Sequence, residues 1–192
     1  MSGGVRLRRS VLFMPASNAR ALEKARTLPA DALVFDLEDA VAPDAKPDAR
    51  RMAATAAGSG GYAPREIVIR VNALDTPWGR DDLAAAAGSG ADAILLPKVE
   101  SDAAVRETLR VLDQAGAPAG LTLWCMLETP RGVLRAEEIA AASSRVASSA
   151  DGANASFAPA IVFGWISVLP SNPMAAACRH AARKPASSSR SR

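Results

Sequence analysis

The chain has 192 residues, of which 49% are apolar, 22% charged and 4% aromatic, with a formal net charge of +3. That is an ordinary globular composition, with length for one core or two small ones. No run of about 18 uncharged apolar residues occurs, which excludes a helical membrane span, and Cys125 and Cys178 make neither a disulfide framework nor a metal-ligand spacing.

The positive charge is local. Residues 174–192 hold five Lys/Arg and no acid, whereas the other 173 residues carry 18 basic against 20 acidic side chains. The body therefore offers no basic face for nucleic acid. One domain is expected over residues 1–170, followed by a disordered Ser/Arg/Ala-rich tail over residues 171–192. The apolar stretch near the N-terminus, residues 11–15, is too short for the centre of a secretory signal, so a soluble, cytoplasmic protein is expected.

In chain order, short apolar runs fall at residues 10–14, 32–36, 67–71, 93–96, 121–126 and 160–163. They are nearly continuous rather than alternating, which suits strands covered on both faces of a parallel sheet. Helix-like stretches lie between them. Residues 18–27 open on Asn18, a capping residue, and residues 48–57 follow Pro47. Residues 101–115 open on Ser101 and place Ala104, Val105, Leu109 and Leu112 near a 3.6 period. Pro130 fits the first turn of a helix running through Val133 and Ile139.

Strands alternating with helices indicate an α/β protein with a parallel sheet. The polar residues separate its two usual forms. Asp36, Glu38 and Asp39 follow the second strand, Arg70 ends the third, Lys98 follows the fourth and Glu128 the fifth. Charged groups at the C-terminal ends of successive strands converge on one mouth in a β/α barrel, whereas an open doubly wound sheet concentrates its site at one switch point. Neither Gly-x-Gly-x-x-Gly after the first strand nor a phosphate-binding Gly-Lys-Ser/Thr is present. A β/α (TIM-type) barrel is therefore expected.

Several of these groups have chemistry to offer. Glu128 ends a buried strand, where a carboxylate needs a cation or donors; it suits either a structural ion pair or a hard ion such as magnesium, which takes one or two protein carboxylates and keeps waters. The planar fork of Arg70 suits a substrate carboxylate, or a salt bridge to Asp36, Glu38 or Asp39. Lys98 can attract phosphates or pair with Glu100. Trp78 either covers the mouth or packs, Trp124 and Cys125 read as core, and His180 lies in the basic tail with no catalytic role.

Five segments occur in order over residues 9–132: Arg9-Ser-Val-Leu-Phe-Met-Pro-Ala-Ser17, Phe35-Asp-Leu-Glu-Asp-Ala-Val41, Ile69-Arg-Val-Asn72, Leu95-Leu-Pro-Lys-Val-Glu100 and Met126-Leu-Glu-Thr-Pro-Arg-Gly132. Together they resemble the citrate lyase beta-subunit-like group of the HpcH/HpaI aldolase family. The resemblance implies a β/α barrel, Mg2+, and a carbon–carbon lyase of the citryl-CoA or malyl-CoA type. Such an enzyme cleaves or forms a bond between a 2-oxo acid unit and an acyl-CoA thioester. It implies Glu128 as a metal ligand that also contacts substrate, Arg70 as a substrate-binding and catalytic group, and Glu38 and Asp39 as catalytic carboxylates; Lys98 is a further substrate-binding candidate, through the phosphates of coenzyme A, with the pairing to Glu100 equally open. Relatives of this kind assemble as homo-trimers or hexamers.

The resemblance stops at the sixth strand, where the family carries Gly-x-x-Asp-Leu/Phe and its second metal ligand. This chain has Ser167 three residues after Gly164, and a hydroxyl is a poor substitute for a carboxylate on magnesium. About six of the eight strands of a barrel are legible, so an incomplete barrel, weakly stable or poorly soluble and with little or no lyase activity, is expected. A catalytically inactive lyase-like interaction module or a frameshifted product is the alternative. The codons bear on the latter: TGG for Trp165 followed by AT for Ile166, read two nucleotides later, give Leu, Met or Val and then Asp. A TC-type codon for Ser167 then gives Leu, Ile or Phe, which restores the missing motif. Sequencing the coding DNA from about codon 140 is expected to show that the motif continues in the shifted frame; early stops in that frame overturn the expectation.

Overall fold

The computed structural model describes residues 8–146 and 161–163. Strand β1 (Val11–Pro15) leads through helix α1 (Ala19–Ala25) to β2 (Ala32–Asp36), and a 3-10 turn (Pro43–Ala45) runs into α2 (Lys46–Ser59). Then come β3 (Glu66–Arg70), α3 (Gly79–Ala87), β4 (Ala93–Leu96), α4 (Asp102–Gln114), β5 (Thr122–Leu127), two short helices α5 (Pro130–Leu134) and α6 (Ala136–Ala140), and β6 (Ile161–Phe163). All six strands are parallel, and each lies beside the strand before it, in the order β1-β2-β3-β4-β5-β6. A doubly wound sheet would reverse its order at a switch point; steady succession is how a β/α barrel winds. Among the described residues this is an arc of such a barrel, with β1 and β6 at its ends. The expected tail, Ser167 and His180 lie outside the described residues.

Local chemistry sets the boundaries. The Asn18 side chain accepts from the Ala21 N–H at 3.1 Å and Ser101 from the Ala104 N–H at 3.2 Å, so both expected caps hold α1 and α4. Thr129 caps α5 through the Gly132 N–H at 3.1 Å, with Pro130 in the first turn. Two expectations need correction. The helix begun at Pro130 does not run on to Ile139: it breaks at Arg135 (φ −107°, ψ 17°), and the new direction seats Ile139 in the core. Helix α2 starts two residues before the Asp48 expected from Pro47, because the 3-10 turn already winds the chain to Lys46. Helix α3 was not foreseen. It lacks a side-chain cap, although Asp81 and Asp82 in its first turn and the run of alanines after Leu83 favour it.

The sheet buries both faces, as its continuous apolar strands require. On the outer side Leu33, Phe35, Ile69, Ile94, Leu123 and Cys125 pack under the helices with Leu22, Ala53, Leu83, Val105 and Leu112. On the inner side Ala32, Val34, Val68, Ala93, Leu95, Trp124 and Met126 form a second cluster. Trp124 and Cys125 are both core, on opposite faces. Burial raises the Cys125 thiol to a pKa of about 12, so it stays protonated and unreactive.

Gly132 shows how closely the layers fit at the mouth end. A Cβ there would sit 2.3 Å from the backbone oxygen of Val99, the residue after Lys98. Gly132→Ala is expected to destabilise the chain by about 1–3 kcal/mol in urea unfolding, while Gly120→Ala, where a Cβ meets nothing within 4 Å, stays within about 0.5 kcal/mol. Equal effects would show that the two backbones do not approach this closely.

Candidate active site

The inner rows of β2 and β3 end in a matched pair. Asp36 and Arg70 are partners in the strand register, and the guanidinium grips the carboxylate with two bonds, Nε to Oδ1 at 2.7 Å and Nη2 to Oδ2 at 2.5 Å. Asp36 also accepts from the N–H groups of Glu38 and Ala40 at 2.8 and 3.2 Å. It therefore orients Arg70 and folds the turn that carries Glu38 and Asp39. Burial works against the Arg70 charge, but the hydrogen bonds and charge of Asp36, with Glu38 and Asp39, leave its pKa raised.

The third nitrogen of Arg70, Nη1, faces the mouth. It lies 2.9 Å from Glu38 Oε2 and 3.6 Å from Asp39 Oδ2. Glu38 is buried, and its other oxygen accepts from Lys98 Nζ at 2.6 Å. Burial pushes Glu38 above the usual carboxylate range, and the Lys98 hydrogen bond and the Arg70 charge offset this only in part. Asp39 is open to solvent, with its side chain 64% exposed.

Lys98 links two carboxylates. Its ammonium holds Glu38, and its backbone N–H donates to Glu128 Oε1 at 2.8 Å. It adopts φ +52°, a left-handed conformation that a side chain enters at a cost of about 1–2 kcal/mol. The pairing with Glu100 weighed from the sequence is not formed; Glu100 lies 3.6 Å from Arg131 instead. Glu128 also differs from expectation. It follows a buried strand but is itself half-buried, so its carboxylate is not forced into a structural ion pair. Glu38, Asp39, Arg70, Lys98 and Glu128 are thus brought together, joined in one chain of contacts at the C-terminal ends of β2 to β5.

A cavity of about 510 Å3 opens beside this chain, lined by Glu38, Asp39, Lys46, Asn72, Trp78 and Lys98. Another hollow, about 330 Å3, lies on the helix side between α1 and α2, away from these strand ends. Three further residues belong to the mouth without a role legible in the sequence: Lys46, Asn72 and Asp82. The Pro-Asp-Ala-Lys-Pro stretch reads as polar loop, and nothing in it signals a lysine that is 5% exposed. Trp78 lines the cavity, with the Lys46 ammonium 5.2 Å from its ring centre, so it serves mouth and packing together.

Among the described residues no three His, Cys, Asp or Glu side chains cluster as a closed metal cage. The donor set does fit an ion that takes one protein carboxylate and completes its shell with water and substrate: Glu128 supplies a hard oxygen, half open, fixed by one backbone N–H.

A sheet wound as a barrel, with carboxylates and an arginine converging at the C-terminal ends of its strands, has the architecture of β/α-barrel proteins, whose sites lie at that end. The HpcH/HpaI aldolase/citrate lyase family model matches residues 9–154, and the chain belongs to that family. It is 53% identical over 133 residues to a (3S)-malyl-CoA thioesterase of Cereibacter sphaeroides, covering 69% of this chain and 45% of that protein. It is 44% identical over 153 residues to the citrate lyase subunit beta of Escherichia coli, covering 77% and 51%. Its fold is similar to that of a citrate lyase beta subunit from M. tuberculosis complexed with oxaloacetate and magnesium, with TM-score 0.56 and 35% identity over 72% of this chain and 56% of that one. The chain thus spans about half the length of the relatives it matches. No helix among the described residues is long and apolar enough to cross a membrane.

The backbone at Lys98 gives a direct check on the mouth. Lys98→Gly and Lys98→Ala both remove the ammonium, but only glycine relaxes the left-handed conformation. Lys98→Gly is expected to be more stable than Lys98→Ala by about 1 kcal/mol in urea unfolding; equal stability would mean that the strained conformation is not populated.

Proposed function

We propose that this chain carries the substrate mouth of a magnesium-dependent carbon–carbon lyase of the citryl-CoA or malyl-CoA type, acting between a 2-oxo acid unit and an acyl-CoA thioester. The observation that carries the reading is the unbroken path from Arg70 Nη1 through Glu38 and Lys98 to Glu128. It keeps a guanidinium and a hard carboxylate on one mouth, at the C-terminal ends of β3 and β5. The relatives named for malyl-CoA and citrate, and the one complexed with oxaloacetate and magnesium, support the substrate class.

In this reading Glu128 holds the metal, which when bound supplies Lewis-acid polarisation of the substrate's oxygen atoms. Arg70 binds the substrate carboxylate through Nη1, because its other edge is committed to Asp36 and cannot turn away. That commitment fixes the direction of approach as well as the charge. Glu38 and Asp39 hold the polar atoms and water that face the reacting unit, and the raised pKa of Glu38 suits it to proton exchange nearer neutrality than an ordinary carboxylate. Lys98, with a half-exposed ammonium at the rim, draws in the anionic coenzyme A chain and adds positive charge where cleavage leaves an enolate.

A second reading, a lyase-like interaction module without turnover, is favoured by the lack, among the described residues, of any group of three His, Cys, Asp or Glu side chains that could hold a metal ion. Calorimetry separates the two. The full chain is expected to bind magnesium more tightly when pyruvate or oxaloacetate is present. Glu128→Gln is expected to weaken that binding by on the order of 100-fold. Binding that is insensitive to the oxo acid, or unchanged by the substitution, overturns the lyase reading and leaves the module.

A further inference from the structure

Lys46 breaks two local rules at once. It is a cation in the first turn of α2, where the helix dipole disfavours positive charge, and it is a lysine with almost no exposure. Its position is explained by three acceptors at hydrogen-bonding distance: the backbone oxygens of Leu37 and Glu38 at 2.8 and 2.7 Å, and Asn72 Oδ1 at 2.8 Å. An ammonium has three protons, so this set is complete.

The acceptors are themselves fixed from behind. Asn72 donates through Nδ2 to Leu37 O at 2.9 Å and to Asp82 Oδ2 at 2.6 Å, and its N–H meets the same Asp82 oxygen at 3.0 Å. Asp82, fully buried in the first turn of α3, takes Arg50 Nε on its other oxygen at 2.7 Å. The orientation of the Asn72 amide is thereby set: the carboxylate claims the amide nitrogen and leaves the oxygen for Lys46. Charges alternate from Arg50 through Asp82 to Lys46 across the ends of α2, α3, β2 and β3. The network ends on the peptide whose side chain is Glu38.

We infer that Lys46 is a positioning residue, whose ammonium clamps the Leu37 and Glu38 carbonyls and so aims the Glu38 carboxylate between Arg70 and Lys98. Asp36 grips the same turn from its N–H side, and Lys46 grips it from its carbonyl side; with both holds in place the turn has no freedom to swing Glu38 out to solvent. What that aim serves rests on the reading given above, but the clamp itself is testable without turnover.

The test uses the full chain and the reactivity of its four lysines, Lys24, Lys46, Lys98 and Lys184, in trace acetylation read residue by residue by mass spectrometry. The Lys98 ammonium is protected to the extent that Glu38 is aimed at it. Glu38→Gln, which removes the charge, sets the unprotected rate, about threefold or more above the unsubstituted chain. Lys46→Met is expected to raise Lys98 acetylation to that same rate, with Cys125 still shielded from iodoacetamide and Lys24 unchanged. Lys46→Arg, which keeps a buried donor, restores part of the protection. Asn72→Ala, which removes one acceptor and leaves Lys46 present, gives a partial rise and decides the matter alone should Lys46→Met expose Cys125. The inference is overturned if Lys98 labelling stays at its original rate in these variants while Cys125 is shielded, or if Glu38→Gln itself fails to raise it. Absence of oxo-acid-dependent magnesium binding in the unsubstituted chain would sink the lyase reading and leave the clamp standing.

Discussion

The Asp36–Arg70 pair is the contact on which the mouth depends. Both partners are buried, so each charge is tolerable only while the other is present; removing one leaves an uncompensated ion in a low-dielectric place. The strand register sets them opposite one another, and both oxygens of Asp36 also receive backbone N–H groups of the following turn. Sheet pairing, guanidinium orientation and turn conformation are therefore one arrangement. Glu38 is placed by that turn, Lys98 by Glu38, and Glu128 by the backbone of Lys98.

The sheet was legible because each strand is a short, unbroken apolar run, and burial on both faces is what such runs require. The expected and observed strands agree to within a residue at every end. The constellation was legible for the same reason: parallel strands in succession put residues 36, 70, 98 and 128 at one end, whatever their side chains do next. The side-chain partners were not legible. Lys98 reached sixty residues back to Glu38 rather than two ahead to Glu100, because its left-handed backbone turns the side chain over the mouth. Lys46 could not be read as buried from a loop-like context, nor Asn72 as its acceptor, since that contact depends on two turns meeting. Helix α3 escaped because it starts without a side-chain cap, at Gly79, where a Cβ would lie 2.3 Å from the oxygen of Ala73.

Departures from local preference are concentrated in one part of the molecule. The left-handed Lys98, the buried lysine at a helix start, the carboxyl lifted by burial and the close approach at Gly132 all lie at the C-terminal ends of the strands. The outer layer shows the reverse: its strands and helices meet through apolar side chains, and its caps at Asn18 and Ser101 are conventional. Strain and unfavourable burial persist only where the surroundings over-determine them. Here the surroundings are the six-stranded sheet and its helices, and the location of the strain agrees with a site that has to be held in place.

The inner face shows how its two ends differ. Its lower end carries Arg8 on Glu66, with bonds of 2.5 and 2.8 Å, and the Arg8 guanidinium lies 5.0 Å from the Trp124 ring centre. Above this come only apolar side chains, Val34, Val68, Leu95, Trp124 and Met126, before the row reaches Asp36 and Arg70. Glu66 and Arg70 begin and end β3 on the same inner row, so two ionic layers are separated by an apolar one. The apolar layer lies directly beneath the charges at the mouth and lowers the dielectric around them, so they interact more strongly than surface charges do. The inner positions of β1 are the less covered part of this wall: Val11 is 36% and Phe13 38% exposed. Phe13 nevertheless brings its ring within 5.5 Å of the Arg70 guanidinium. An apolar floor and an aromatic side wall leave Nη1 as the outlet for the arginine's charge, which faces Glu38, Asp39 and whatever enters from above.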